Sequence, residues 1–327
     1  MTVKLYIDSI HDALQEEMRR DQGVFVVGED VGVRGGVFRV TQGLIEEFGE
    51  MRVIDAPLAE SAIVGVAIGA AAYGLKPVAE IQFADFILPA VNQIISEAAK
   101  MRYRSNNDWS CPLVVRAPYG GGVHGALYHS QSVEALFHHV PGLKVVMPAT
   151  AADAKGLLLS AIRDPDPVLF FEHKALYRWV KDDVPDGDYT VPIGKARLVR
   201  EGEDLTVITY GLMVHYAEEA ARELEKEGVS IELLDLRTVS PLDREAILAA
   251  AKKTGKVLIV HEDNKTGGVG AEVSAIIAEE ALFDLDAPIA RLCGPDIPAM
   301  PFNPPQERFY MVNSEKIAQA MRKLAAF

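Results

Sequence analysis

Cysteine is nearly missing from this chain: Cys111 and Cys293 are the only two, far apart, in no CxxC pair and in no metal-ligand spacing. Their scarcity excludes a disulfide framework and a thiolate metal site, and it predicts free thiols in a reducing compartment. No apolar run approaches the ~20 residues that span a bilayer, so no membrane role is expected. The opening residues, Met1-Thr2-Val3-Lys4-Leu5-Tyr6-Ile7-Asp8, lack the charged start, apolar stretch and small-residue cleavage site of a secretion signal, which predicts a cytoplasmic protein. Basic residues are outnumbered, 33 against 47 acidic ones, giving a formal charge of −14. Nucleic-acid binders carry a basic face, so nucleic acid is excluded as a partner. The acidity suits either a basic protein partner or solubility alone.

What is present is an alternation of short apolar runs with helical patterns over 327 residues, more than one core usually serves. Val24–Gly28, Arg52–Asp55, Pro77–Phe83, Leu113–Val115, Leu143–Val146 and Val168–Phe171 read as strands. Ser9–Arg20, Ala59–Tyr73, Leu88–Arg104 and Ala151–Arg163 read as the helices between them. The acidic, Pro- and Gly-containing stretch Lys181–Asp188 reads as a surface linker, after which a second alternating set runs from Leu205 to Ala326. The expectation is an α/β protein of two three-layer domains with mainly parallel sheets, residues 1–190 and 191–327. Ligands of such sheets bind outside the carboxyl ends of the strands, so the loops there are the informative ones.

In Asp55-Ala56-Pro57-Leu58-Ala59-Glu60-Ser61-Ala62-Ile63-Val64-Gly65, Glu60 opens an otherwise apolar helix. It is either a partner for the positive end of the helix dipole or a carboxyl group that shares a proton with a ligand nitrogen. Phe86, in Glu80-Ile81-Gln82-Phe83-Ala84-Asp85-Phe86, is either core or a stacking platform for a flat heterocycle. The glycine-rich turn Gly120-Gly121-Gly122-Val123-His124-Gly125 leads into Ala126-Leu127-Tyr128-His129-Ser130-Gln131-Ser132. It lacks the spacing of a P-loop or of GxGxxG, and its histidines are structural or catalytic. Asp164-Pro165-Asp166-Pro167 is a rigid turn that could also offer oxygens to a hard cation. Asp235 and Arg237 read as a structural pair, and Thr266–Glu272 as glycines opening a helix.

Taken in order, Gly28–Gly32, Pro57–Gly65, His129–Ser132, Pro141–Val146, Asp235–Asp243 and Gly267–Glu272 resemble the β subunits of thiamine-diphosphate-dependent 2-oxo acid dehydrogenases, of the transketolase-like family. The resemblance covers essentially the whole chain. It implies a pyrimidine-binding domain followed by a transketolase C-terminal-like domain. Gly125–Ser132 and Gln82–Asp85 are most similar to the branched-chain enzymes; pyruvate and acetoin dehydrogenases share the scaffold and differ here.

The resemblance implies roles. Glu60 matches the glutamate that hydrogen-bonds the aminopyrimidine ring nitrogen, and Phe86 the aromatic beside that ring, where the branched-chain family often has Tyr. Ile63 joins them as a cofactor-binding position. His129 matches the histidine that acts as an acid when the acyl group passes to a lipoyl group. Backbone oxygens near Leu113, Val114, Ala161, Asp164 and Asp166 match a structural potassium site. In this family a Gly-Asp-Gly motif holds the diphosphate and its Mg2+; this chain has none. The resemblance therefore implies an α subunit holding that half in an α2β2 heterotetramer, with the second domain carrying dimer contacts and docking the dihydrolipoyl acyltransferase core with its lipoyl domain. A single-chain transketolase or deoxyxylulose phosphate synthase would be longer. A non-catalytic scaffold subunit would have no reason to keep both Glu60 and His129.

Overall fold

The apolar runs of the first half form one sheet in a computed structural model that describes residues Met1–Phe327. The strands are β1 (Thr2–Leu5), β2 (Val24–Gly28), β3 (Val53–Asp55), β4 (Lys76–Glu80), β5 (Val114–Tyr119), β6 (Lys144–Val146), β7 (Val168–His173) and β8 (Lys181–Val184). Six lie side by side in the order β6-β7-β5-β4-β2-β3, all parallel. A parallel sheet is covered on both faces, so its strands read as continuous apolar runs rather than alternating ones. Every residue of β2, β5 and β7 is buried accordingly. Helix Tyr6–Arg20 turns Ile10, Leu14 and Met18 inward and packs on helix Ala151–Arg163. Helix Glu60–Ala72 has almost no polar face, yet it buries only Ile63, Val64, Ala67, Ile68 and Ala71 and leaves Val66 exposed.

Two expectations are corrected in this half. The segment Leu88–Arg104 is helical throughout, but its hydrogen-bond pattern changes along it. It is a 3-10 turn (Ala84–Ala90), a π turn (Gln93–Glu97), a second 3-10 turn (Ala98–Lys100) and a single α turn (Met101–Arg104). Pro89 lies inside the first of these and cannot donate the backbone bond that a regular helix needs. Lys181–Asp188 is not wholly a linker either. Its first four residues are β8, antiparallel to β1 with Thr2 opposite Val184 and Leu5 opposite Lys181. Lys-Asp-Asp-Val is a poor strand former, and only an edge position with a ready partner makes it one.

The second half contains β9 (Arg197–Arg200), β10 (Leu205–Thr209), β11 (Ile231–Asp235), β12 (Thr238–Ser240), β13 (Val257–Asn264) and β14 (Ala290–Gly294). The sheet order is β14-β13-β10-β11-β9, parallel except for the edge strand β9. Asp243 and Asn313 cap helices Arg244–Thr254 and Ser314–Ala325 by accepting from the backbone N–H of Ala246 (3.3 Å) and Lys316 (3.0 Å). Helix Pro304–Tyr310, with proline in its first turn, follows β14 and was not expected from the sequence.

The chain divides into one compact unit of Met1–Tyr119 with Leu136–Ile193, and a second of Gly120–Ala135 with Gly194–Phe327. This differs from a contiguous division at 190, because the glycine-rich segment belongs with the second unit. No helix is long and apolar enough to cross a membrane.

Candidate active site

In the first unit the carboxyl ends of β4, β2 and β3 are neighbours, and each is followed by a residue of chemical interest. Glu29 follows β2, Glu60 opens the helix after β3, and Phe86 lies in the 3-10 turn after β4. This is the position at which parallel sheets place ligands. Glu60 is half-buried in the first helical turn, where the unpaired amides favour an anion. Ile63, nearly one turn on, is 4% exposed and gives the spot an apolar wall. Burial raises the pKa of Glu29, and the nearby Asp30 and Glu60 charges raise it further. Glu29 is thus a neighbour of Glu60 that inspection of the sequence did not single out. The Gly28–Gly32 turn is held to the end of β3 by the Gly32 N–H, which donates to Asp55 Oδ1 at 2.6 Å.

Phe86 is half-buried and meets Phe83 edge-on at 5.6 Å, while Phe83 meets Phe38 edge-on at 5.5 Å. A carboxyl group at a helix start, an apolar wall and a partly open ring suit a flat, nitrogen-bearing heterocycle. The same residues do not suit a diphosphate with its metal. Nowhere do three or more His, Cys, Asp or Glu side chains converge as a metal site.

Beneath the strand ends lies a buried ion network. Arg116 of β5 donates to Glu172 of β7 through Nε (2.6 Å) and Nη2 (2.8 Å), and to Glu80 of β4 through Nη1 (2.7 Å). Tyr177 Oη donates to Glu172 at 2.6 Å. Arg116 is 1% exposed, Glu80 6% and Glu172 0%. Burial pushes the Glu80 carboxyl up while Arg116 pulls it down, and the two carboxylates keep the guanidinium firmly charged. A bidentate clamp across three adjacent strands fixes their register at the end where the site is built.

The residues proposed for potassium are partly engaged already. Lys144 Nζ grips both oxygens of Asp164 (2.6 and 2.7 Å), and Arg102 Nε donates to Asp166 Oδ1 at 2.5 Å. The carbonyl oxygen of Leu113 accepts from Val168 N–H (2.9 Å) and that of Ala161 from Asp164 N–H (3.3 Å). These side-chain pairings do not bear on the main-chain oxygens that the resemblance implies as ligands, that of Val114 among them.

In the second unit the glycine-rich loop is tied down by acids. Glu262 Oε1 accepts from the Gly121 N–H at 2.6 Å, and Glu307 Oε1 accepts from the N–H groups of Gly122 (3.0 Å) and His124 (3.2 Å). Glu307 also pairs with the His124 ring. These amides are occupied by the chain's own carboxylates. His129 follows the 3-10 turn Ala126–Tyr128 and is half-buried. Tyr210 Oη donates to the buried Glu134 at 2.8 Å. Burial lifts the Glu134 carboxyl well above its usual range and the Asp263 carboxyl to about 6.

His124 and Ala126 hold φ angles of +57° and +55°, a left-handed conformation that non-glycine residues adopt at a cost of roughly 1–2 kcal/mol each. Glu307 is the group that holds this strained turn. Glu307→Ala should therefore loosen it, at about 0.5–1.5 kcal/mol for each lost hydrogen bond, since Gly122 and His124 are exposed and water can replace the acceptor. Amide exchange at Gly122 and His124 should accelerate about ten-fold or more. Unchanged exchange at both amides would show that other contacts hold the loop.

Comparison with known proteins fits this architecture. Residues 5–180 match the transketolase pyrimidine-binding domain and residues 194–317 the transketolase C-terminal domain. The chain is 68% identical to the 2-oxoisovalerate dehydrogenase subunit beta of Bacillus subtilis over the full length of both. It is 50% identical to the mitochondrial 2-oxoisovalerate dehydrogenase subunit beta 2 of Arabidopsis thaliana, over 98% of this chain and 88% of that one. The pyruvate dehydrogenase E1 component subunit beta of B. subtilis is 49% identical over 98% of each chain. Among solved structures, a split-gene transketolase described as an inactive beta4 tetramer shares the fold, with a TM-score of 0.78, 24% identity and 98% coverage of both chains. On this evidence the chain belongs to the transketolase-like family of 2-oxo acid dehydrogenase β subunits.

Proposed function

We propose that this chain is the β half of a branched-chain 2-oxo acid dehydrogenase, completed by an α subunit in an α2β2 heterotetramer. The observation that carries the reading is Glu60, a carboxylate at the start of an apolar helix beside Ile63, in a chain 68% identical throughout to a 2-oxoisovalerate dehydrogenase β subunit. Thiamine diphosphate, when bound, supplies the electron sink for losing carbon dioxide from a 2-oxo acid. Glu60 would hold a proton at a pyrimidine ring nitrogen. Phe86 and Ile63 would pack against the ring and keep water from it. The α subunit would hold the diphosphate and Mg2+, for which this chain has no ligand set. Main-chain oxygens around Leu113, Val114 and Ala161 would serve a potassium ion.

His129 would act as the acid for acyl transfer to the lipoyl domain. His129→Ala should then slow lipoyl acylation by roughly 10²–10⁴-fold while decarboxylation with an artificial electron acceptor falls far less. Equal losses in both assays would move His129 to substrate binding. Residues 191–327 would carry the dimer contact and dock the acyltransferase core, and the setting would be the cytoplasm.

The whole reading is tested by mixing the chain with a candidate α subunit, thiamine diphosphate and Mg2+, and measuring decarboxylation across 2-oxo acids of increasing side-chain size. Branched five- and six-carbon acids should be turned over best. A preference for pyruvate would favour the alternative seen in the 49% identical relative. No turnover with any α subunit that forms the complex would leave only a scaffold role.

A further inference from the structure

A cavity of about 400 Å³ opens in the first unit beside β1 and the start of helix Tyr6–Arg20, with Leu5, Asp8, His11, Phe38, Arg39 and Arg178 in its lining. Small-ligand sites run from roughly 300 to 1,000 Å³, so the space is sufficient. Its charge pattern is unusual for this chain. Many other arginines meet acids, as Arg19 meets Glu47, Arg163 meets Glu17, Arg102 meets Asp166 and Arg200 meets Glu225, although Arg52 and Arg291 donate to carbonyl oxygens instead. With 47 acidic residues available, such pairing is what composition favours. Arg39 and Arg178 have no carboxylate partner, and both line this one cavity. The Arg39 guanidinium donates to the Arg34 carbonyl oxygen, from a backbone held at φ +72°. Asp8, the single acid of the lining, lies outside ion-pair distance of either guanidinium.

The remaining groups define the complement. His11 Nδ1 lies 2.8 Å from the Val40 carbonyl oxygen, which only accepts, so Nδ1 carries a hydrogen and Nε2 is left for another contact. Leu5 and Phe38 add apolar surface, each only partly buried. Phe38 also leads inward: it lies 5.5 Å from Phe83, which lies 5.6 Å from Phe86. The cavity wall is therefore the first ring of a packed series that ends at the proposed cofactor platform.

We propose that this cavity binds a small organic anion, a carboxylate or phosphate on a short apolar body. The head group lies against Arg39 and Arg178, in the manner that guanidinium groups recognise such anions, and the body lies on Leu5 and Phe38. The site does not depend on the role of Glu60 or His129.

Calorimetric titration of the full chain at low salt tests it, with 3-methylbutanoate, phenyl phosphate and inorganic phosphate as probes. One of the two organic probes should bind saturably at one site per chain. Arg178→Ala and Arg39→Ala should each weaken it about ten-fold or more, the loss expected for a hydrogen bond to a charged group. Arg222→Ala, on an exposed helix face, should leave it unchanged. The proposal is overturned if neither organic probe saturates at millimolar concentration, if both cavity variants bind like the parent, or if inorganic phosphate binds as tightly as phenyl phosphate. It is equally overturned if a bound α subunit abolishes binding, because the cavity would then receive an acidic side chain of that subunit.

Discussion

Glu60→Gln should lower decarboxylation by the assembled enzyme by roughly 10²–10⁴-fold, the usual worth of a positioned proton-transfer group, with the fold intact. Glutamine keeps the shape and can still form a hydrogen bond, but its amide cannot give up or take a proton at working pH. The structural cost is small because Glu60 is half-buried at a helix start, where a dipole partner contributes about 0.3–1 kcal/mol. The two effects therefore separate in magnitude. Steady-state decarboxylation with the α subunit reads the first, and thermal unfolding reads the second. Activity within a few-fold of the parent would mean that Glu60 serves only the helix dipole.

The largest stability effect is expected at Arg116. Arg116→Met leaves Glu80 and Glu172 buried side by side without a counter-charge, a change that costs about 3–5 kcal/mol. Set against a total stability of ~5–15 kcal/mol, that is enough to move a urea midpoint far with little change in slope. Adding Glu80→Gln and Glu172→Gln to the methionine variant should recover a good part of the loss, since the penalty lies in the abandoned charges and not in the missing contacts. If the triple variant is no more stable than the single one, packing around the guanidinium carries the stability instead.

These two residues mark the range of what could be read from the sequence. Glu60 was visible because a lone acid opens a run of Ala, Gly, Val and Ile, a contrast that stands out without any neighbour in space. The parallel strands were visible for the same reason: their burial on both faces leaves unbroken apolar runs. Arg116 and Glu172 were not, because each is one charge at the end of such a run, and only the sheet order puts β5 between β4 and β7. Glu29 became notable once β2 and β3 were adjacent. The loop around His129 was legible as unusual, yet the carboxylate that shapes it, Glu307, lies 185 residues from Gly122. The break after Phe83 carried a local sign in Pro89; the strand at Lys181–Val184 carried none, its identity residing in its partner.

That last pairing has a topological consequence. The antiparallel register from Thr2–Val184 to Leu5–Lys181 stitches the entry of the first unit to its exit. Loop-closure entropy grows only with the logarithm of length, so sealing so long a circuit costs little more than sealing a short one. It does, however, require contacts between opposite ends of a long stretch of chain, which slows the search for them. Domains whose ends meet tolerate being reopened elsewhere. A cut at an exposed turn, with the old ends joined across β1 and β8, would keep the same strand neighbours: the strand ladder closes a ring that the covalent chain leaves open.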